Sequence, residues 1–154
     1  MTTLTLNYKI LLDNNCATSV SEEILSNIPY MNTITENIKK DNTILDKTTL
    51  YLVDVNPSTF TQIITLVKYN AFNSNNECQI FNETFIKNMD ECALTDFILI
   101  THRFGLEKFK QIAATRFINV LRNNSIADIR TEFKIKNNLS PEDTQNIAFD
   151  NEWR

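Results

Sequence analysis

Only two stretches of this chain read as β-strand. Residues 4–12 (LTLNYKILL) and 50–55 (LYLVDV) are rich in apolar and β-favouring side chains. From Asn56 onward the apolar residues fall at helical spacing instead. A chain so divided has room for a small sheet and a large helical remainder. The first run can hold two strands with a turn near residues 7–9, although no Asn-Gly or Asp-Gly marks that turn.

The helix boundaries are marked by side-chain chemistry. Ser19-x-x-Glu22 has the form of a capping box. Pro29 would break one long helix, so two are expected, at 21–28 and 29–38, with Pro29 in the first turn of the second. Residues 39–48 follow as a polar loop. Asn56-Pro57 is a helix start, Asn as N-cap and Pro at the first helical position. Phe60, Ile63, Ile64 and Val67 then make one apolar stripe. Residues 70–79 read as a polar loop, and 82–88 as a short helix. The next helix carries Leu94, Phe97, Ile98 and Thr101 on one face and ends near Gly105. Leu99 and Ile100 make it apolar nearly all round, which predicts a buried central helix. A helix over 106–122 carries Phe109, Ile112, Ala113, Phe117, Val120 and Leu121, with Phe109 and Phe117 read as core. Ser125-x-x-Asp128 opens another, and Ser140-Pro141-Glu142-Asp143 a last one, with acids where the helix dipole favours them.

Composition removes several classes of function. Of the residues, 42% are hydrophobic, enough for a buried core, and the net charge is −4. That charge opposes nucleic acid, where a basic footprint is expected, and opposes a polybasic membrane-surface role. No apolar run approaches the roughly 18 residues of a membrane span, and the first residues lack the pattern of a signal peptide. Cys16, Cys78 and Cys92 are odd in number and widely spaced, which reads as reduced thiols rather than a disulfide framework. Cytoplasm or nucleus is the expected location, of a host cell if the chain is viral. A single Gly among many Asn, Ile, Lys and Thr is the composition of an A/T-rich genome, such as that of a large virus or a protist.

No catalytic or metal site is expected. His102 is the sole histidine, and neither Cys92 nor Cys78 is at helical spacing for a Cys–His dyad. Cys78 and Cys92 have no companion pair for zinc. One glycine excludes a phosphate-cradling loop, and no cofactor is implied. Asn82-Glu83-Thr84 matches a glycosylation acceptor, which has no meaning in a cytosolic chain.

The final thirty residues pose a separate problem. Their large apolar side chains are Ile126, Ile129, Phe133, Ile135, Leu139, Ile147, Phe149 and Trp153, the last being the one tryptophan. Two short, weakly amphipathic helices do not make a core. Either they fold back on the preceding domain, or their apolar side chains complete a groove filled by another protein.

The residues of this tail resemble a known pattern. Arg130-x-x-Phe133-x-Ile135-Lys136-Asn137, then Leu139, an acid-rich helix and Asn151-x-Trp153, is similar to the tail of the S-phase-kinase-associated adaptor family, R-x-x-F-x-I-K-N-D, a hydrophobe, a glutamate-rich helix and N-x-W. These adaptors join F-box proteins to a cullin in SCF ubiquitin ligases. Upstream, LVDVNPSTFTQIITLVKY (52–69) resembles the family's strand–helix pattern. Phe85-Ile86-Lys87 resembles its F-L-K, and Leu94 to Leu99 its L-F-E-L-I-L. The likeness is faint before residue 50.

The resemblance implies an α/β architecture of the BTB/POZ fold, a three-stranded sheet flanked by helices, with a C-terminal two-helix extension. Residues 1–108 would be the BTB/POZ-like domain and 109–154 the F-box-binding extension. The implied F-box contacts are Ile118, Leu121, Ile129, Phe133, Ile135, Asn137, Leu139, Asn151 and Trp153. At the implied cullin contact the chain departs from the family. Where the family reads A-A-N-Y-L-D-I, this chain has Thr101-His102-Arg103-Phe104-Gly105-Leu106, so that His102 replaces Asn and Arg103 replaces Tyr. Three roles stay open: an adaptor with F-box and cullin partners, a decoy that holds F-box proteins without cullin, and a homodimeric BTB-type scaffold.

Overall fold

In the computed structural model, which describes residues 6–132, strand β1 (Asn7–Leu11) alternates exposed Asn7 and Lys9 with buried Tyr8 and Ile10. That period of two sets one face of the strand on the core. Strand β2 (Ala17–Ser21) pairs with it antiparallel, Tyr8 opposite Val20. The partner strand is therefore 17–21, and the turn falls after Leu11 rather than at residues 7–9. Asn14 (φ 61°) and Asn15 (φ 58°) take the left-handed turn positions. In a chain with one glycine, Asn is among the side chains that tolerate this conformation best.

Strand β3 (Thr49–Tyr51) lies parallel to β1 on its other side, giving the order β2-β1-β3. A parallel pair needs a long crossover, supplied here by helices α1 (Glu22–Ser26) and α2 (Pro29–Lys40). Pro29 opens α2, as its place in the sequence predicts. Strand β3 is shorter than the expected 50–55. The last ladder bond runs from Leu52 N–H to the Leu11 carbonyl, after which Asp54 turns left-handed (φ 58°) and ends the pairing.

Asp46 prepares β3. Its carboxylate accepts from the Thr48 N–H and hydroxyl, both at 2.9 Å. A hydrogen bond from the Thr49 side chain, with the two from Thr48, holds its pKa down to about 2. The folded value is depressed, so its stabilising effect is present above the ordinary 3.8 and fades as pH falls through about 2. The Thr48 and Thr49 amide resonances are expected to titrate together with that midpoint. A midpoint near 3.8 in the NMR titration would show that the carboxylate does not hold the turn.

Helix α3 (Pro57–Phe72) begins as the sequence predicts, the Asn56 side chain accepting from Ser58 N–H at 2.9 Å. It packs on α5 (Glu91–Phe104). Phe60, Ile63 and Leu66 of α3 meet Leu94, Phe97 and Phe104 of α5 in a core that also holds Ile10, Leu25, Ile28, Met31 and Leu50. Helix α5 is not buried all round, since Leu99 is 62% exposed. Gly105 ends it at φ 73°, and a Cβ there would stand 3.3 Å from Pro29 Cβ. Only glycine combines that backbone angle with so close an approach to α2.

The expected loop over 70–79 is mostly helix. Helix α3 continues to Phe72, and α4 (Asn75–Lys87) starts from a Ser74–Glu77 capping box. Between the two helices the Asn70 and Asn82 side chains exchange amide hydrogen bonds of 2.7 and 3.0 Å. Asn82 is fully buried, so its sequon is closed to modification in the folded chain. Asn82→Ala would leave the Asn70 amide oxygen without its donor. The expected cost is about 1–3 kcal/mol, read as a lower urea midpoint at unchanged m-value.

Helix α6 (Glu107–Asn123) buries Phe109 and Ala113 and lays Phe117 partly on the core. Arg116 fastens it, donating to the Ile86 carbonyl at 2.6 Å and pairing with Glu91 at 3.2 Å. The chain divides within α6 into two units, Met1–Asn119 and Val120–Arg154. In the second, α7 (Ile126–Glu132) opens where expected, Ser125 and Asp128 bonding to each other's backbone N–H and through their side chains at 2.5 Å. Among the described residues the protein is thus α/β and mainly helical, with seven helices and a three-stranded sheet.

Candidate functional site

Two groups of residues carry the functional expectations. The first begins at the end of α6. Phe117 turns toward the core, and Ile118, roughly 100° further round the helix, is 47% exposed. This Ile belongs to the first unit. In the second unit, Leu121 is 36% exposed, Ile126 on α7 is 71% exposed, and Ile129 is half-buried. Ile126 is an exposed apolar side chain that the resemblance did not single out; its place next to the Ser125 cap was the available signal. Phe133, Ile135, Asn137, Leu139, Asn151 and Trp153 lie outside the described residues, as does the helix expected from Ser140.

The second group, His102 and Arg103, occupies the last turn of α5. Both side chains are exposed, and both have partners within the chain. Lys110 Nζ stands 3.5 Å from His102 Nδ1 and pairs with Glu107 at 2.7 Å. Arg103 Nη1 donates to the Val53 carbonyl at 2.6 Å, and its Nη2 reaches the Tyr30 hydroxyl at 3.5 Å. The guanidinium carbon is 5.5 Å from the centre of the Tyr30 ring, within range of a cation–π contact. Tyr30 stacks on Phe104 at 5.8 Å, and Phe104 meets Phe60 edge-on at 6.3 Å. The guanidinium, though exposed, is therefore engaged by a carbonyl and a ring of its own chain. Tyr51, Val53 and Leu99 are large apolar side chains left exposed in the first unit. Tyr51 and Val53 line one shallow hollow and Leu99 another, and the two share Asp13 and Asn14.

Among the described residues no group of three or more His, Cys, Asp or Glu could hold a metal ion, and no helix is long and apolar enough to cross a membrane. Cys78 is buried in α4, its thiol 3.6 Å from the Asn73 carbonyl. The first group presents exposed aliphatic side chains, and the second a cation held against a backbone carbonyl.

No family model matches the chain. SKP1-like protein 1A of Arabidopsis thaliana is 23% identical to it over 83 residues, covering 54% of this chain and 51% of the plant protein. SKP1-like protein 20 of Oryza sativa subsp. japonica is 25% identical over 77 residues, covering 50% of this chain and 43% of that protein. The chain thus spans about half the length of the curated relatives it matches, and its likeness to SKP1-like proteins is distant and partial.

Proposed function

We propose that this chain is a BTB/POZ-type adaptor that binds F-box proteins and so brings them to an SCF-type ubiquitin ligase. The observation that carries the reading is the resemblance of the residues from Arg130 to Trp153 to that family's tail, together with the distant similarity to SKP1-like proteins. Exposure of Leu121 and Ile126 in the second unit, and of Ile118 in the first, supports it, since exposed large apolar side chains are what a protein partner covers. Ile129, Phe133, Ile135, Asn137, Leu139, Asn151 and Trp153 would complete the contact. The chain's mechanism is positioning, and ubiquitin transfer takes place on other subunits.

A second reading concerns cullin. The alternative is a decoy, which holds F-box proteins without engaging cullin, and it rests on the contacts of Arg103 with Val53 and Tyr30. A face that meets cullin through an uncharged Asn-Tyr pair has different demands from one that carries a fixed guanidinium.

The single tryptophan gives the first reading a direct test. Titrating an F-box domain into the chain is expected to shift Trp153 emission to the blue as the indole leaves water, with 1:1 stoichiometry by light scattering. Unchanged fluorescence, with a mass that reports self-association and no uptake of the F-box domain, would replace this reading with the homodimeric scaffold.

A further inference from the structure

The turn that leaves β3 is held by side chains from far along the chain. Asp54 sits at φ 58°, a conformation that costs a non-glycine L-residue free energy unless its surroundings hold it there. Two contacts do so. The Asp54 N–H donates to Asp13 Oδ1 at 3.2 Å, and the preceding Val53 carbonyl accepts from Arg103 at 2.6 Å. A lone exposed arginine would be a weak anchor, because a long side chain loses rotamer freedom when it is held. Here the guanidinium lies against Tyr30, Tyr30 stacks on Phe104, and Phe104 is fully buried. The charged end is thus braced on the core. A planar guanidinium can donate along its edge while stacking on a ring, which a lysine ammonium cannot do.

We infer that Arg103 is a positioning residue: it clamps the turn from Val53 to Val55 in one conformation and thereby preforms the surface on which Tyr51 and Val53 stand exposed. It is spent on the chain's own carbonyl and is not a free contact for a partner. A protein that docks on this side meets a rigid turn whose Val53 carbonyl is already occupied. The inference is independent of the F-box reading and of any partner.

Amide hydrogen exchange on the full chain tests it, comparing wild type with Arg103→Ala, Arg103→Lys and Tyr30→Leu. Arg103→Ala is expected to speed exchange of the Asp54 amide by about tenfold, the size expected for loss of one charge-assisted hydrogen bond. Ile63 and Leu66, buried in α3, should keep their wild-type rates. Arg103→Lys, which restores one donor without the stack, should recover part of the protection. Tyr30→Leu, which keeps the donor and removes its brace, should lose part of it. If Arg103→Ala unfolds the chain, the Lys and Leu variants decide by the same comparison. Unchanged exchange at Asp54 overturns the inference. So does a rise at Asp54 matched by an equal rise at Ile63 and Leu66, because that would report general destabilisation.

Discussion

A chain ending at Asn124 is expected to lose F-box binding by at least roughly 100-fold while its first unit stays folded. The deletion removes Ile126, Ile129, Phe133, Ile135, Leu139 and Trp153, six of the apolar side chains on which the proposed contact rests. Interface energy concentrates in a few anchors, aromatic ones above all, each worth about 2 kcal/mol or more on truncation to Ala. Trp153→Ala alone is therefore expected to weaken binding by about 2 kcal/mol, near thirtyfold. The described core of the first unit is built from residues between Tyr8 and Phe117, all upstream of the cut. Phe60, Phe97 and Phe104 are buried among β1, β3 and helices α1–α5, and Arg116 fastens α6 upstream of the cut. Calorimetric titration with an F-box domain gives the affinity, and far-UV circular dichroism with a thermal melt shows whether the fold survives. Full-strength binding by the folded, shortened chain would remove the basis of the F-box reading.

Helix starts were legible where a cap forms, because a cap is a local chemical event. The expected Ser19–Glu22 box does not form, since Ser19 lies within β2 and Ser21 precedes α1 with no side-chain cap bond. Asn56 before Pro57, and Ser125 three residues before Asp128, each place an oxygen within reach of N–H groups that a helix leaves unpaired. The Ser74–Glu77 box has the same form and was hidden by its setting, since the asparagine-rich run around it reads as loop. Strand β2 was illegible for a different reason. Of Ala17–Ser21 only Val20 is buried, so the strand is defined by its pairing with β1 and not by its own pattern. Leu99 shows the limit of apolar periodicity: Leu and Ile at neighbouring positions gave helix α5 no readable outer face, and packing chose one.

The candidate sites divide in the same way. The tail run could be read because its residues are neighbours in sequence. The partners of Arg103 could not. Val53 and Tyr30 are 50 and 73 residues away, on elements whose own patterns say nothing about a guanidinium. Placing His102 and Arg103 at the implied cullin contact was a statement about position along the chain. What the pair does was decided by tertiary approach, through Gly105 bringing the end of α5 against Pro29 and so against Tyr30.

Replacing His102 by Asn and Arg103 by Tyr together is expected to raise affinity for a cullin N-terminal region by about ten- to thirtyfold over the wild-type chain, with F-box affinity unchanged. The substitutions act on two costs. A guanidinium held at Val53 must either be desolvated in place when a partner covers it or be pulled from its carbonyl, and removing a charge from water without a partner of its own is unfavourable. A tyrosine presents apolar area with only two torsions to freeze and a hydroxyl at its tip. Loss of the clamp works in the opposite direction by loosening the turn at Val53, which is why the gain is set near one hot-spot contact and no higher. Surface-immobilised cullin fragment, titrated with each chain and with each single variant, separates the contributions. Arg103→Tyr is expected to carry most of the gain, because among the described residues the His102 side chain has only Lys110 to leave. Tight cullin binding by the wild-type chain, with no improvement in the double variant, would mean that the face works with its arginine in place, and the bridging adaptor would then stand in preference to the decoy.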